Sequence, residues 1–60
     1  MKITKNVMTK MYYGTKEFKI EGVDLNEKEL EKLLEDDAPF GFFCRINAEK
    51  TEATCTCYYD

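Results

Sequence analysis

From residue 40 onward the apolar side chains recur at every second position. Phe40, Phe42, Cys44, Ile46 and Ala48 alternate with Gly41, Phe43, Arg45, Asn47 and Glu49, and after Lys50 the rhythm resumes at Thr51, Ala53, Cys55, Cys57 and Tyr59. A period of two marks strands that bury one face, so residues 40–59 are expected to form a β-hairpin. A turn centred on Glu49-Lys50 sets Cys44 opposite Cys55, Phe42 opposite Cys57 and Ile46 opposite Ala53. That register keeps both apolar sets on one face, and a slip of one residue would mix them.

Ahead of this hairpin the period lengthens to that of a helix. Leu30, Leu33, Leu34 and Ala38 form one apolar stripe, and Pro39 ends it. Asn26 is placed to cap the amino end with Glu29 at the N3 position, while Leu25 and Leu30 occupy the two ends of a hydrophobic staple. A helix over residues 26–37 follows. Glu27 and Glu29 suit the positive end of its dipole, whereas Asp36 and Asp37 sit at the negative end, where helix physics disfavours them.

Residues 1–22 carry a mixed signal. Ile3, Val7, Met8 and Met11 fit helical spacing, but Thr4, Thr9, Tyr12 and Tyr13 are strand formers and decide for a hairpin. Gly14-Thr15 as a two-residue loop, with glycine first, suits a type II′ turn. Pairing around it places Tyr13 opposite Lys16, Met11 opposite Phe18, Thr9 opposite Ile20 and Val7 opposite Gly22. The expected chain order is ββαββ in one α+β domain spanning residues 1–60, an antiparallel-rich sheet with one amphipathic acidic helix on one face.

Areas then become informative. Four strands near 25 Å long at about 4.8 Å spacing offer a face of roughly 450 Å², while one short helix covers about 160 Å². The helix cannot cover its side of the sheet, and Met8, Tyr12, Phe43 and Tyr58 are expected on the other side. A 60-residue domain also has a thin margin of stability. A homodimer or a protein partner is therefore expected to meet the sheet.

Composition narrows the chemistry. With 43% hydrophobic and 35% charged residues the chain is globular rather than disordered. No apolar run approaches the ~20 residues of a membrane span, and none reads as a signal peptide. Three cysteines cannot pair completely within one chain, and the expectation is a cytoplasmic protein with reduced thiols. Cys44, Cys55 and Cys57 share a strand face, but without histidine or Cys-x-x-Cys spacing they read as core residues rather than zinc ligands. Cysteine catalysis lacks a histidine base. The three glycines are too scattered for a phosphate loop. No catalytic residue, cofactor or metal is assigned, and the chain is read as non-enzymatic.

Charge is the remaining signal. Residues 21–37 hold eight carboxylates against two lysines, net −6, whereas residues 1–20 carry five lysines against Glu17, net +4. Lys10 and Lys19 beside Tyr12 resemble a nucleic-acid contact, but an overall charge of −3 argues against direct nucleic-acid binding. The acidic helix instead suits a partner with a basic surface. Glu27, Glu31, Glu35, Asp36 and Asp37, with Tyr12, Phe43 and Tyr58 on the sheet, are the candidate partner-binding residues. The general profile, very short, acidic and rich in Lys, Glu and Tyr, is similar to small accessory proteins of bacteriophages and mobile elements, including anti-defence inhibitors. That resemblance runs across the whole chain and assigns no residue. It implies a small inhibitor or regulator; a self-associating structural module and a cysteine metal-binding module are the alternatives.

Overall fold

The computed structural model describes residues 1–60. Strands β1 (Lys2–Tyr12) and β2 (Thr15–Val23) form the first hairpin. Helix α1 (Glu27–Leu34) runs into a 3-10 turn (Glu35–Asp37), and β3 (Phe42–Ile46) and β4 (Glu52–Tyr58) complete the chain. The four strands make one antiparallel sheet in the order β1-β2-β4-β3. The crossover through α1 carries the chain past β4, so β1 and β3 are the two edges and β2 and β4 are central.

The core lies between α1 and one face of the sheet. Ile20, Leu25, Leu30, Leu34, Ala38, Ala53, Cys55 and Cys57 are buried, with Ile3, Phe18, Phe42, Cys44 and Ile46 packed against them. The helix starts where its cap is expected: Asn26 accepts a hydrogen bond from the Glu29 backbone N–H at 2.9 Å, and both staple residues are fully buried. Leu33 departs from the expected stripe and is 42% exposed. On an eight-residue helix the buried stripe is narrow, and the Leu30–Leu34 ridge takes all of it. The α-helix also ends at Leu34 rather than continuing to Asp37, tightening to 3-10 geometry where the acids crowd the carboxyl end.

The second hairpin has the expected register, with Phe42 opposite Cys57, Cys44 opposite Cys55 and Ile46 opposite Ala53. Its loop is closed by Asn47, whose side-chain oxygen accepts from the backbone N–H groups of Thr51 and Glu52 at 2.8 and 3.1 Å. Lys50 sits at φ +59° in the left-handed region to finish the turn.

The first hairpin corrects its expected register. The two-residue loop is Tyr13-Gly14, with Tyr12 opposite Thr15 and Met11 opposite Lys16. Gly14 has φ +84°, so glycine serves the second central position, as in a type II turn, rather than the first. Two bulges then shift the pairing, between Ile3 and Lys5 and between Met8 and Lys10. At each bulge a threonine hydroxyl donates to the facing strand, Thr4 to the Glu21 carbonyl and Thr9 to the Glu17 carbonyl. Because of the bulge at Thr9, Met8 lies opposite Phe18 on the helix side of the sheet, not on the open face. At the far end β1 and β2 close tightly: a Cβ at Gly22 would collide with the Lys2 carbonyl oxygen.

Candidate interaction surfaces

The candidate residues fall on two opposite surfaces. Along the outer side of α1 and its C-cap, Glu27, Glu31 and Glu35 follow at four-residue intervals, a ridge about 12 Å long. Together with Asp36 they are exposed, and none of them enters an ion pair within the chain. Lys28 and Lys32 run beside this ridge. The surface depression along it is lined by Asn26, Lys28, Glu29, Glu31, Lys32 and Glu35, with no apolar wall.

Asp37 does not belong to that set. Its carboxylate lies 3.5 Å from the Lys16 ammonium, which β2 projects beneath the end of the helix. The Lys16 ammonium also sits 5.1 Å from the centre of the Tyr59 ring, whose hydroxyl donates to the Tyr12 carbonyl at 2.9 Å. Asp37 thus helps tie the helix end, the first turn and the last strand together. The acid least favoured by the helix dipole is explained by the sheet beneath it. Glu29 is likewise engaged, 3.3 Å from the Met1 amino group.

Tyr12, Phe43 and Tyr58 lie on the opposite, uncovered face of the sheet, at 56%, 61% and 43% exposure. The register places them in rows. Tyr12, Thr15 and Tyr58 cross the sheet in one row; Lys10, Glu17, Thr56 and Phe43 form the next; Val7, Lys19, Thr54 and Arg45 the one after. From this face project five cations (Lys2, Lys5, Lys10, Lys19, Arg45) and three acids (Glu17, Glu21, Glu52), net +2. With a total of −3, the rest of the molecule carries −5. Folding therefore separates the charges into an acidic helix side and a mildly basic, aromatic sheet side. Arg45 is not among the candidate residues that the sequence singles out, although its place beside Phe43 in the outward half of the β3 alternation is the signal that points to it.

The cysteines correct the expectation of three reduced thiols. Cys44 and Cys55 are joined by a disulfide across β3 and β4. By alternation from the bonded pair Asn47–Glu52 at the loop, three positions along the ladder, they form a pair without mutual backbone hydrogen bonds, and their Cα atoms are 4.0 Å apart. That closeness brings the two side chains into bonding range. Cys57 remains a free, buried thiol. Burial pushes its ionisation upward, the Asp37 carboxylate pushes the same way, and Lys16 opposes them. A buried, protonated thiol is a poor nucleophile and a poor metal ligand. With two sulfurs bonded to each other, the three-thiolate alternative has no donor set in this structure.

No helix is long and apolar enough to cross a membrane. Comparison with protein-family models, with curated proteins and with solved structures gives no match, so the geometry carries the functional argument by itself.

Proposed function

We propose that this chain is a small non-enzymatic, protein-binding regulator or inhibitor that uses the outer ridge of α1 to occupy a lysine- or arginine-rich surface of another protein. The observation that carries this reading is the set of four exposed carboxylates, Glu27, Glu31, Glu35 and Asp36, without internal ion pairs. Carboxylates held along a helix and the 3-10 turn that closes it give orientation and a fast electrostatically steered encounter with a basic groove. A partner that uses its groove for nucleic acid would be blocked by such occupation. Origin in a phage or mobile element and residence in the cytoplasm belong to the same proposal. In a reducing cytoplasm the Cys44–Cys55 pair would be held in register by the strand ladder rather than by the bond. Alkylation of thiols in intact cells tests that placement, and a fully blocked Cys44–Cys55 pair would oppose it.

The direct experiment is affinity capture from the native host with the wild-type chain and with a Glu31→Ser, Glu35→Ser, Asp36→Ser variant. The expected outcome is a basic protein recovered by the first and lost by the second, with unchanged circular dichroism. Equal recovery by both removes the reading.

Self-association is a second reading with its own support. Met8 and Met11 are exposed on the helix side of β1, beyond the reach of α1, and the outer backbone edge of this 11-residue strand is unpaired. A concentration-dependent mass in sedimentation, abolished by Met8→Ser and Met11→Ser, is the expected result of a dimer formed there.

A further inference from the structure

We infer that the open face of the sheet is a binding platform for single-stranded nucleic acid, with Tyr12, Phe43 and Tyr58 stacking bases and Lys10, Lys19 and Arg45 meeting phosphates. This assignment is independent of the acidic ridge, which lies on the other side of the molecule.

Three rings stand on a sheet face otherwise made of threonines, charged residues and the exposed Val7 and Val23, and none of the three belongs to the core. An exposed ring on such a surface has no internal role to explain it. Phe43 and Tyr58 are diagonal neighbours on adjacent strands, because Phe43 pairs with Thr56 two residues before Tyr58. Tyr12 lies in the same row as Tyr58 but two strands away, about 9.6 Å at the usual strand spacing. A single strand crossing the sheet from β3 to β1 would meet the three rings in succession, and every base offers a π-face to such a platform. The cations border this path: Lys10 at the β1 edge, Arg45 at the β3 edge and Lys19 between them. Lys19 also pairs with Glu52 at 3.4 Å, an exposed contact in which phosphate can replace the carboxylate. Glu17 sits among the rings, where it disfavours a phosphate and can accept from a base amino group.

The negative total charge argues against such a partner for the unfolded sequence more than for the folded surface. The open face is net +2, and the thinnest dimension of the molecule is 17 Å. At physiological ionic strength the screening length is about 8 Å, so the acids of the helix side are largely screened at the sheet side. A protein docked on the same face is the competing occupant. The pairing of exposed rings with unpaired cations Lys10 and Arg45 favours nucleic acid.

The test is fluorescence polarisation of labelled oligothymidylate and oligouridylate with the whole chain, alongside a duplex of equal length. Saturable binding to the single strands is expected, weaker for the duplex, whose bases are already stacked. Three phosphate contacts give a slope of log affinity against log salt of about −2. Phe43→Ala and Tyr58→Ala are each expected to weaken binding about tenfold. Because both rings are exposed, the variants should keep the wild-type circular dichroism; Tyr12→Ala serves as a third, independent ring. Glu31→Ser with Glu35→Ser should leave the affinity unchanged. Absence of binding at low salt overturns the assignment, as does binding indifferent to the rings. If Phe43→Ala and Tyr58→Ala instead dissolve a self-associated species, the face is a protein interface and the assignment also fails.

Discussion

Both hairpins are expected from the sequence, yet only the second keeps its expected register. In the β3–β4 hairpin the alternation from Phe42 to Ile46 and from Ala53 to Cys57 is translated into the observed register, while Phe40, Ala48, Thr51 and Tyr59 fall outside the strands. In the β1–β2 hairpin the turn sits one residue early and two bulges shift the pairing. The difference follows burial. Ala53, Cys55 and Cys57 are pressed against Leu30 and Leu34 in a single core, so any slip of β4 would expose them and bury threonines. Most of β1 has no such constraint: of its residues, Ile3 alone packs against the core. Where neither face is buried, register is weakly specified, and local devices such as the Thr4 and Thr9 hydroxyls settle it.

The sharpest way to break this contrast is to truncate one side chain in the core and one on the exposed stretch of β1. Leu30→Ala is expected to cost about 3–4 kcal/mol, a large fraction of the roughly 3–9 kcal/mol available to a domain of this size. Met11→Ser, on the exposed stretch of the first hairpin, should stay within about 0.5 kcal/mol. Urea denaturation of the two variants measures both. Comparable losses would mean that β1 is held by packing after all.

The disulfide separates the hairpins a second way. It closes an 11-residue separation within the second hairpin, and its loss by Cys44→Ala with Cys55→Ala should lower stability by roughly 3 kcal/mol. The register of β3 against β4 should survive, since burial of Phe42 and Ile46 specifies it independently; cross-strand nuclear Overhauser contacts would show this.

A smaller effect is expected at the second loop. Lys50 adopts a left-handed backbone that glycine takes without steric cost. Lys50→Gly should therefore be neutral or raise stability by up to about 1 kcal/mol, whereas Gly14→Ala, at φ +84° in the first loop, should lower it by a similar amount.

The least of these effects near neutral pH is the titration of Cys57. Burial raises its folded ionisation above the ordinary value of 9.0. The unfolded thiol ionises first, so this contribution is intact below about pH 9 and is lost as pH rises from there through the folded value. Thermal unfolding between pH 8 and 10.5 should fall less steeply for Cys57→Ala than for the wild type. Parallel slopes would place the thiol in contact with water.

The same contrast explains what the sequence made legible. The second hairpin, the Asn26 cap and the Leu25–Leu30 staple were readable because each couples a local pattern to burial. The exposure of Leu33 was not, because a short helix has more apolar positions than its contact stripe can use. Asp37 looked like a free acid because its partner, Lys16, is 21 positions away and meets it only once the sheet is assembled. The disulfide was readable as a juxtaposition, Cys44 opposite Cys55, but redox chemistry rather than periodicity decides whether the bond forms. Of the candidate interaction residues, the sequence supplied the individuals and not their division between two faces. That division depends on the strand order β1-β2-β4-β3, which hydrophobic pattern alone leaves open.

The central claim is that a buried β2–β4–β3 scaffold under α1 supports an exposed, loosely specified β1. Native-state hydrogen exchange followed residue by residue tests it most directly. Amides paired between β2 and β4 and between β3 and β4 should exchange only through global unfolding, and amides of β1 should open locally at a much lower free energy. Uniform protection from β1 to β4 would contradict the account.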